Sequence, residues 1–153
     1  MANSYTQIYI HAVFAVKYRD KVIDKLWKEE LSKYISGIVQ NNGHKMLSIN
    51  GVSDHLHIFI GMKPQQSVSA LIQDVKANSS KWINENKFVM GHFAWQEGFS
   101  AFSYAHSQLD NVIQYICNQE EHHRKRSFKE EYLDLLRKFD IDFNEAYIYD
   151  FFY

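Results

Sequence analysis

Two β-patterned runs, Lys45 to Val52 and Asp54 to Met62, lie so close in sequence that they pair as an antiparallel hairpin turning around Gly51 and Ser53. An amphipathic helix pattern flanks the hairpin on each side. Upstream, from about Asp24 to Gln40, Leu26, Trp27, Leu31, Tyr34, Ile35, Ile38 and Val39 recur at three- and four-residue spacing, and Asn41-Asn42-Gly43 stops the run. Downstream, Ser67 caps a second helix to about Asn86 that buries Val68, Leu71, Ile72, Val75 and Trp82 and turns Lys76 and Lys81 to solvent.

Strand patterns bracket these elements. From Tyr5 to Val16, Ile8, Ile10 and Ala12 alternate against Tyr9, His11 and Val13, and the aromatic stretch Phe93 to Tyr104, broken at Gly98, predicts one or two short strands. Helices follow from Gln108 to about Lys125 and from Lys129 to about Phe139. The aromatic tail Tyr147 to Tyr153 is expected to dock on the protein or on a second subunit. The order strand, helix, two strands, helix, strand, helix predicts an α+β fold. Its simplest closure is a ferredoxin-like antiparallel sheet with helices on one face, plus the later helices.

Composition narrows the class. A chain of 153 residues, 46% hydrophobic and 23% charged, buries one sizeable core and is too short for two ordinary domains, so 1–153 is read as a single domain. One proline and six glycines argue against a linker-rich or fibrous chain, and no apolar run approaches the roughly 20 residues that span a bilayer. The opening Met1 to Gln7 lacks a secretory pattern, and the lone Cys117 has no disulfide partner, so the expected compartment is the reducing cytoplasm. The net charge of −1 hides an asymmetry. Residues 1–109 carry 11 basic against 8 acidic side chains, a net of +3, whereas residues 110–153 carry 6 against 10, a net of −4. An anionic partner is permitted on the first part but not demanded.

Two motifs carry potential chemistry. In Asp54-His55-Leu56-His57-Ile58-Phe59-Ile60 the two histidines share one strand face about 7 Å apart, so both imidazoles can converge on one ion while Leu56, Ile58 and Ile60 point into the core. Taken singly, the pair is equally compatible with ordinary surface histidines. In Tyr115-Ile116-Cys117-Asn118-Gln119, Tyr115 and Gln119 lie one helical turn apart, with Val112, Ile113 and Ile116 on the buried side. An isolated helical tyrosine of this kind is usually a packing residue.

In combination these segments resemble the single-tyrosine HUH transposases of the insertion-sequence 200/605 type and their palindrome-associated relatives. The likeness runs through Tyr9-Ile10-His11-Ala12-Val13-Phe14 leading to Lys17-Tyr18-Arg19, His55-Leu56-His57, Trp95-Gln96-Glu97-Gly98-Phe99 with Phe102-Ser103, and Tyr115 to His123. The resemblance implies that His55, His57 and Gln119 bind a divalent metal, Mg²⁺ or Mn²⁺, and that Tyr115 is the nucleophile. It further implies a homodimer that cuts and rejoins single-stranded DNA at imperfect-palindrome hairpins through a 5′-phosphotyrosine. Four residues after Tyr115 stands Gln119 rather than a second tyrosine, so one nucleophile is expected.

Other residues are weaker candidates. His11 either faces the site from the neighbouring strand or is structural, and His11, Lys17, Arg19, Lys76 and Lys81 are the candidate DNA contacts. His122 and His123 read as a solvated helix end, Tyr132 as a packing residue and Cys117 as a small buried hydrophobe. Two rival functions share the pattern: a noncatalytic RNA- or DNA-binding module, for which Tyr115 has no role, and a domesticated relative that processes host palindromes.

Overall fold

The computed structural model describes residues 4–152, so Met1, Ala2, Asn3 and Tyr153 lie outside the described residues. Four strands, β1 (Ile8–Ala15), β2 (Lys45–Val52), β3 (His55–Met62) and β4 (Ser100–Tyr104), form one antiparallel sheet in the order β2-β3-β1-β4. Helices α1 (Lys25–Asn41) and α2 (Val68–Glu85) connect β1 to β2 and β3 to β4. This is the ferredoxin-like order expected from the alternation of patterns. The hairpin boundaries and both helices fall where the sequence placed them. Asp24 caps α1 by accepting from the Leu26 amide, and Ser67 caps α2 by accepting from the Ala70 amide.

Pleating divides each central strand between two cores. Ala12 and Phe14 face the same side as their register partners Ile58 and Leu56, and Trp27, Leu31, Ile35 and Val39 of α1 pack there with Leu71, Ile72, Val75 and Ile83 of α2. Leu26 does not join them and is 88% exposed, because its neighbour Trp27 takes the inward position and adjacent helical residues diverge by about 100°.

His11, Val13, Ala15, His55, His57 and Phe59 line the opposite face of the sheet. The C-terminal helices cover it: α3 (Leu109–Cys117), α4 (Gln119–Lys125), α5 (Phe128–Lys138) and α6 (Glu145–Phe152). Val112 and Ile116 pack on Phe59, while Phe128, Tyr132, Leu135 and Leu136 pack on Val13, Ala15 and Phe102. Helices therefore lie on both faces, and the catalytic candidates sit between the sheet and the later set. The tail docks within its own chain, with Phe151 buried and stacked on Tyr132 at 4.9 Å.

The expected helix from Gln108 to Lys125 is two helices. Asn118 breaks it with φ −96° and ψ 23°, and the Asn50 side chain donates to the carbonyls of Ile116 at 2.9 Å and Cys117 at 3.1 Å. That pair of bonds satisfies the end of α3 and ties it to β2. Cys117 is exposed rather than buried, because it follows the inward-facing Ile116 on the last turn of α3. No helix among the described residues is long and apolar enough to cross a membrane.

Candidate active site

Register brings the first half of the site together. His55 and His57 project from β3 opposite Ala15 and Val13, and both are fully buried under the C-terminal helices. His11, two residues from Val13 on the same face of β1, reaches His57 diagonally, with His11 Nε2 2.8 Å from His57 Nδ1. His11 is itself fully buried, and in this structure it supports His57.

Each histidine of the pair has Nδ1 held by a neighbour and Nε2 aimed at the Glu131 carboxylate. His55 Nδ1 lies 2.8 Å from Asp54 Oδ1, and its Nε2 is buried with no hydrogen-bond partner. Nε2 of His57 lies 3.1 Å from Oε1 of Glu131. A buried imidazole nitrogen without a partner is costly unless something else takes its lone pair or its proton. The donor chemistry therefore fits a divalent cation, and the outer bonds to Asp54 and His11 orient the two rings towards it.

Helices α3 to α5 bring the rest. Tyr115 lies over the histidines, its ring 5.9 Å from that of His57 and 6.2 Å from that of His11, and its hydroxyl donates to Glu131 Oε2. Gln119, fully buried, donates from Nε2 to the same Glu131 oxygen at 3.3 Å, and its Oε1 is 3.1 Å from His123 Nε2. The four residues expected from sequence, His55, His57, Tyr115 and Gln119, thus converge within one chain.

Two residues of the cluster were not anticipated. His123, expected at a solvated helix end, is only 12% exposed in its side chain and lies 3.3 Å from Glu131 Oε1, because the break at Asn118 redirects α4 over the sheet. Glu131 is buried at the centre. Its sequence signal is its place in α5, where Phe128, Tyr132, Leu135 and Leu136 form the buried stripe and Glu131 occupies a position of that same stripe. A carboxylate on an apolar helix face needs partners, and here three histidines supply them. His122 lies against Tyr115 with ring centres 4.7 Å apart.

The electrostatics follow from burial and these pairings. Burial lowers His11 well below its ordinary value, assisted by His57, and lowers His57 to about 4. Burial also opposes charge on His55, but its bond to Asp54 and the Glu131 carboxylate 3.5 Å away outweigh that and raise it. For Glu131 burial alone favours the neutral acid, yet the close contacts with His123, His55 and His57 hold it ionised. Burial and then the adjacent Glu131 carboxylate push the Tyr115 phenol upward.

The remaining candidate contacts divide. Lys17 is exposed, and Lys81 is exposed and paired with Glu85 at 3.9 Å. Arg19 donates to the Val16 carbonyl at 2.6 Å and to Gln96 at 2.9 Å and lies over the Phe151 ring, so it is spent on holding the fold. Lys76 does not turn to solvent: its ammonium donates to the carbonyls of Gln96 at 2.8 Å and Gly98 at 2.5 Å, anchoring the loop before β4. Tyr132 packs as expected and bonds to Ser100.

Known proteins share the sequence pattern and the fold. The chain is 20% identical over 120 residues to the ISDra2 transposase TnpA of Deinococcus radiodurans, covering 75% of this chain and 86% of that one. A crystal structure of a Deinococcus radiodurans R1 protein described as a transposase superposes with a TM-score of 0.62 at 20% identity, covering 78% of this chain and 96% of that one. The structure of a REP-associated tyrosine transposase bound to a REP hairpin superposes with a TM-score of 0.61 at 11% identity, covering 80% and 73%. Residues 4–119, which carry His55, His57, Tyr115 and Gln119, match the family described as transposase IS200 like, and the chain belongs to that family.

Proposed function

We propose that this transposase cuts and rejoins single-stranded DNA by transesterification, with Tyr115 as the nucleophile and His55, His57 and Gln119 as the protein ligands of a divalent cation. The observation that carries this reading is the convergence of Tyr115 on the buried His55-His57 face within one chain. In the step, Tyr115 Oη bonds to phosphorus as the bond to the 3′ oxygen breaks. That oxygen leaves with the phenol proton as a 3′-hydroxyl, and the DNA remains attached as a 5′-phosphotyrosine. A phenol is a good enough leaving group for the reverse reaction, so rejoining needs no nucleotide cofactor. A divalent cation, Mg²⁺ or Mn²⁺, supplies positive charge that offsets the phosphate charge in the transition state. His11 and Asp54 orient the two ligand imidazoles, and Asn50 fixes the end of the helix that carries Tyr115.

The substrate in this reading is a hairpin formed by an imperfect palindrome, supported by the hairpin bound to the REP-associated relative. Exposed Lys17 and Lys81 are the remaining candidates for phosphate contacts, and the whole chain acts as one endonuclease domain in the cytoplasm. The family resemblance adds a homodimer, and in this reading each chain carries its own complete site because Tyr115 lies over His57 of the same chain. Incubation with labelled single-stranded DNA from the flanks of the gene, followed by denaturing electrophoresis, tests the chemistry. A protein-linked band that disappears in Tyr115→Phe is expected. Hairpin binding with no covalent band in the wild type would instead identify a noncatalytic binding module.

A further inference from the structure

Around the point where His55 and His57 aim stand more donors than a catalytic centre uses. One ligand atom each from His55, His57, His123 and Glu131 lies within 4.8 Å of all the others. Three imidazole nitrogens and one carboxylate oxygen form a donor set suited to four-coordinate zinc-class ions, whereas magnesium takes oxygen ligands in octahedral geometry. A metal that activates a substrate keeps a coordination position open, while four protein ligands close a tetrahedral site. His55, His57 and Gln119 are fully buried and Glu131 is 1% exposed, so a DNA phosphate has no route to these donors in this arrangement. Within the cluster, Nε2 of His55 is buried and makes no hydrogen bond, facing Glu131 Oε1 at 3.5 Å, so it remains available to an ion.

The same carboxylate engages the nucleophile. Glu131 Oε1 faces His55 at 3.5 Å, His57 at 3.1 Å and His123 at 3.3 Å, while Oε2 accepts from the Tyr115 hydroxyl. Phe128, three residues before Glu131, stacks flat on His55 with ring centres 3.6 Å apart and seals the other side. Both added donors, His123 and Glu131, lie beyond the residues 4–119 that match the family.

We propose that His123 and Glu131 join His55 and His57 in a closed centre for a divalent cation of the zinc class, and that this closed state withholds Tyr115 from DNA. The inference rests on the reading of His55 and His57 as metal ligands and of Tyr115 as the nucleophile. Cleavage then requires Glu131 to leave the cluster, exchanging the closed set for the more open one of His55, His57 and Gln119. The closed centre would tie α5 to the sheet whenever zinc is bound.

The test is a titration of the metal-free, full-length protein with cobalt(II), read by visible absorption, and with zinc, read by calorimetry. The wild type should give the intense bands of four-coordinate cobalt, and magnesium in excess should not displace it. Glu131→Gln should weaken zinc binding by roughly 10-fold or more and remove the four-coordinate spectrum, as should His123→Asn at its partly exposed position. Weak six-coordinate bands in the wild type, or unchanged zinc affinity in both variants, would overturn the proposal. So would covalent DNA attachment that proceeds as fast in zinc as in manganese. Absence of any DNA adduct in any metal would overturn the nucleophile reading instead, and the cobalt spectrum would still report the closed centre.

Discussion

The Tyr115 phenol donates its hydrogen bond to Oε2 of Glu131, a carboxylate carried on α5 sixteen residues further along the chain. A negative charge held against a phenol stabilises the protonated form, and burial acts in the same direction. The arrangement therefore disfavours the phenolate until Glu131 is neutralised or withdrawn. Replacing Glu131 with glutamine should move the ionisation of Tyr115 to lower pH. The ultraviolet pH titration of the variant, minus that of the same variant carrying Tyr115→Phe, isolates this one tyrosine among ten. A titration of Tyr115 at the same or higher pH would show that the carboxylate does not control it.

How much of this was legible in the sequence depends on whether local pattern or long-range packing decided each feature. The alternation around His55 and His57 fixed their common face, because the period of a strand is a local property. The placement of Tyr115 on a helix followed from the apolar residues Val112, Ile113 and Ile116. The break at Asn118 was not legible, since the stretch has no glycine or proline and the Asn50 side chain that receives the broken end comes from a distant strand. His123 therefore appeared to point to solvent. Glu131 was hidden for a related reason. Its burial is made tolerable by three histidines that no sequence spacing connects to it, so only the folded chain reveals why a charge sits in the apolar stripe of α5.

Acid should destabilise the metal-free protein through its buried imidazoles. His11 is lowered well below 6.5 and His57 to about 4, mainly by burial, while both take up protons near 6.5 once unfolded. Between those values the unfolded state binds more protons than the folded one. Their contribution is thus fully present above about pH 6.5 and is lost as the pH falls towards 4. His55 is raised and acts oppositely, contributing stability below 6.5 that is lost as pH rises, which offsets part of the effect. Denaturant unfolding with chelator present, from pH 7 to 4.5, should show falling stability with a shallower fall in His11→Asn. Equal slopes would remove His11 from this account.

Gly51 is a steric requirement of the histidine strand. A Cβ added there would meet the His55 carbonyl oxygen at 2.1 Å and Leu56 Cα at 2.9 Å, both backbone atoms that cannot swing aside. Gly51→Ala should force β2 and β3 apart at His55, costing about 1–3 kcal/mol of stability and weakening divalent-metal binding together. Denaturant unfolding and calorimetric titration of the same preparation check both. A variant as stable as the wild type with unchanged metal affinity would show that the hairpin yields freely at this point.

The described site is assembled from one chain, and this has a consequence that mixing experiments can read. Tyr115 reaches Glu131 and lies over His57 of the same chain, with the end of α3 tied to β2 by Asn50. If cleavage uses this arrangement, a His57→Ala chain lacks a ligand in its only site and a Tyr115→Phe chain lacks the nucleophile in its own. Every site in a mixture of the two then carries one lesion. A crossed arrangement, with the tyrosine helix serving the histidines of a second chain, would give one doubly damaged and one intact site in each mixed dimer. Mixing the two inactive variants under conditions of subunit exchange, confirmed with tagged chains, should therefore restore no single-strand cleavage. Recovery of a covalent DNA adduct in the mixture would establish that α3 crosses between chains during the reaction.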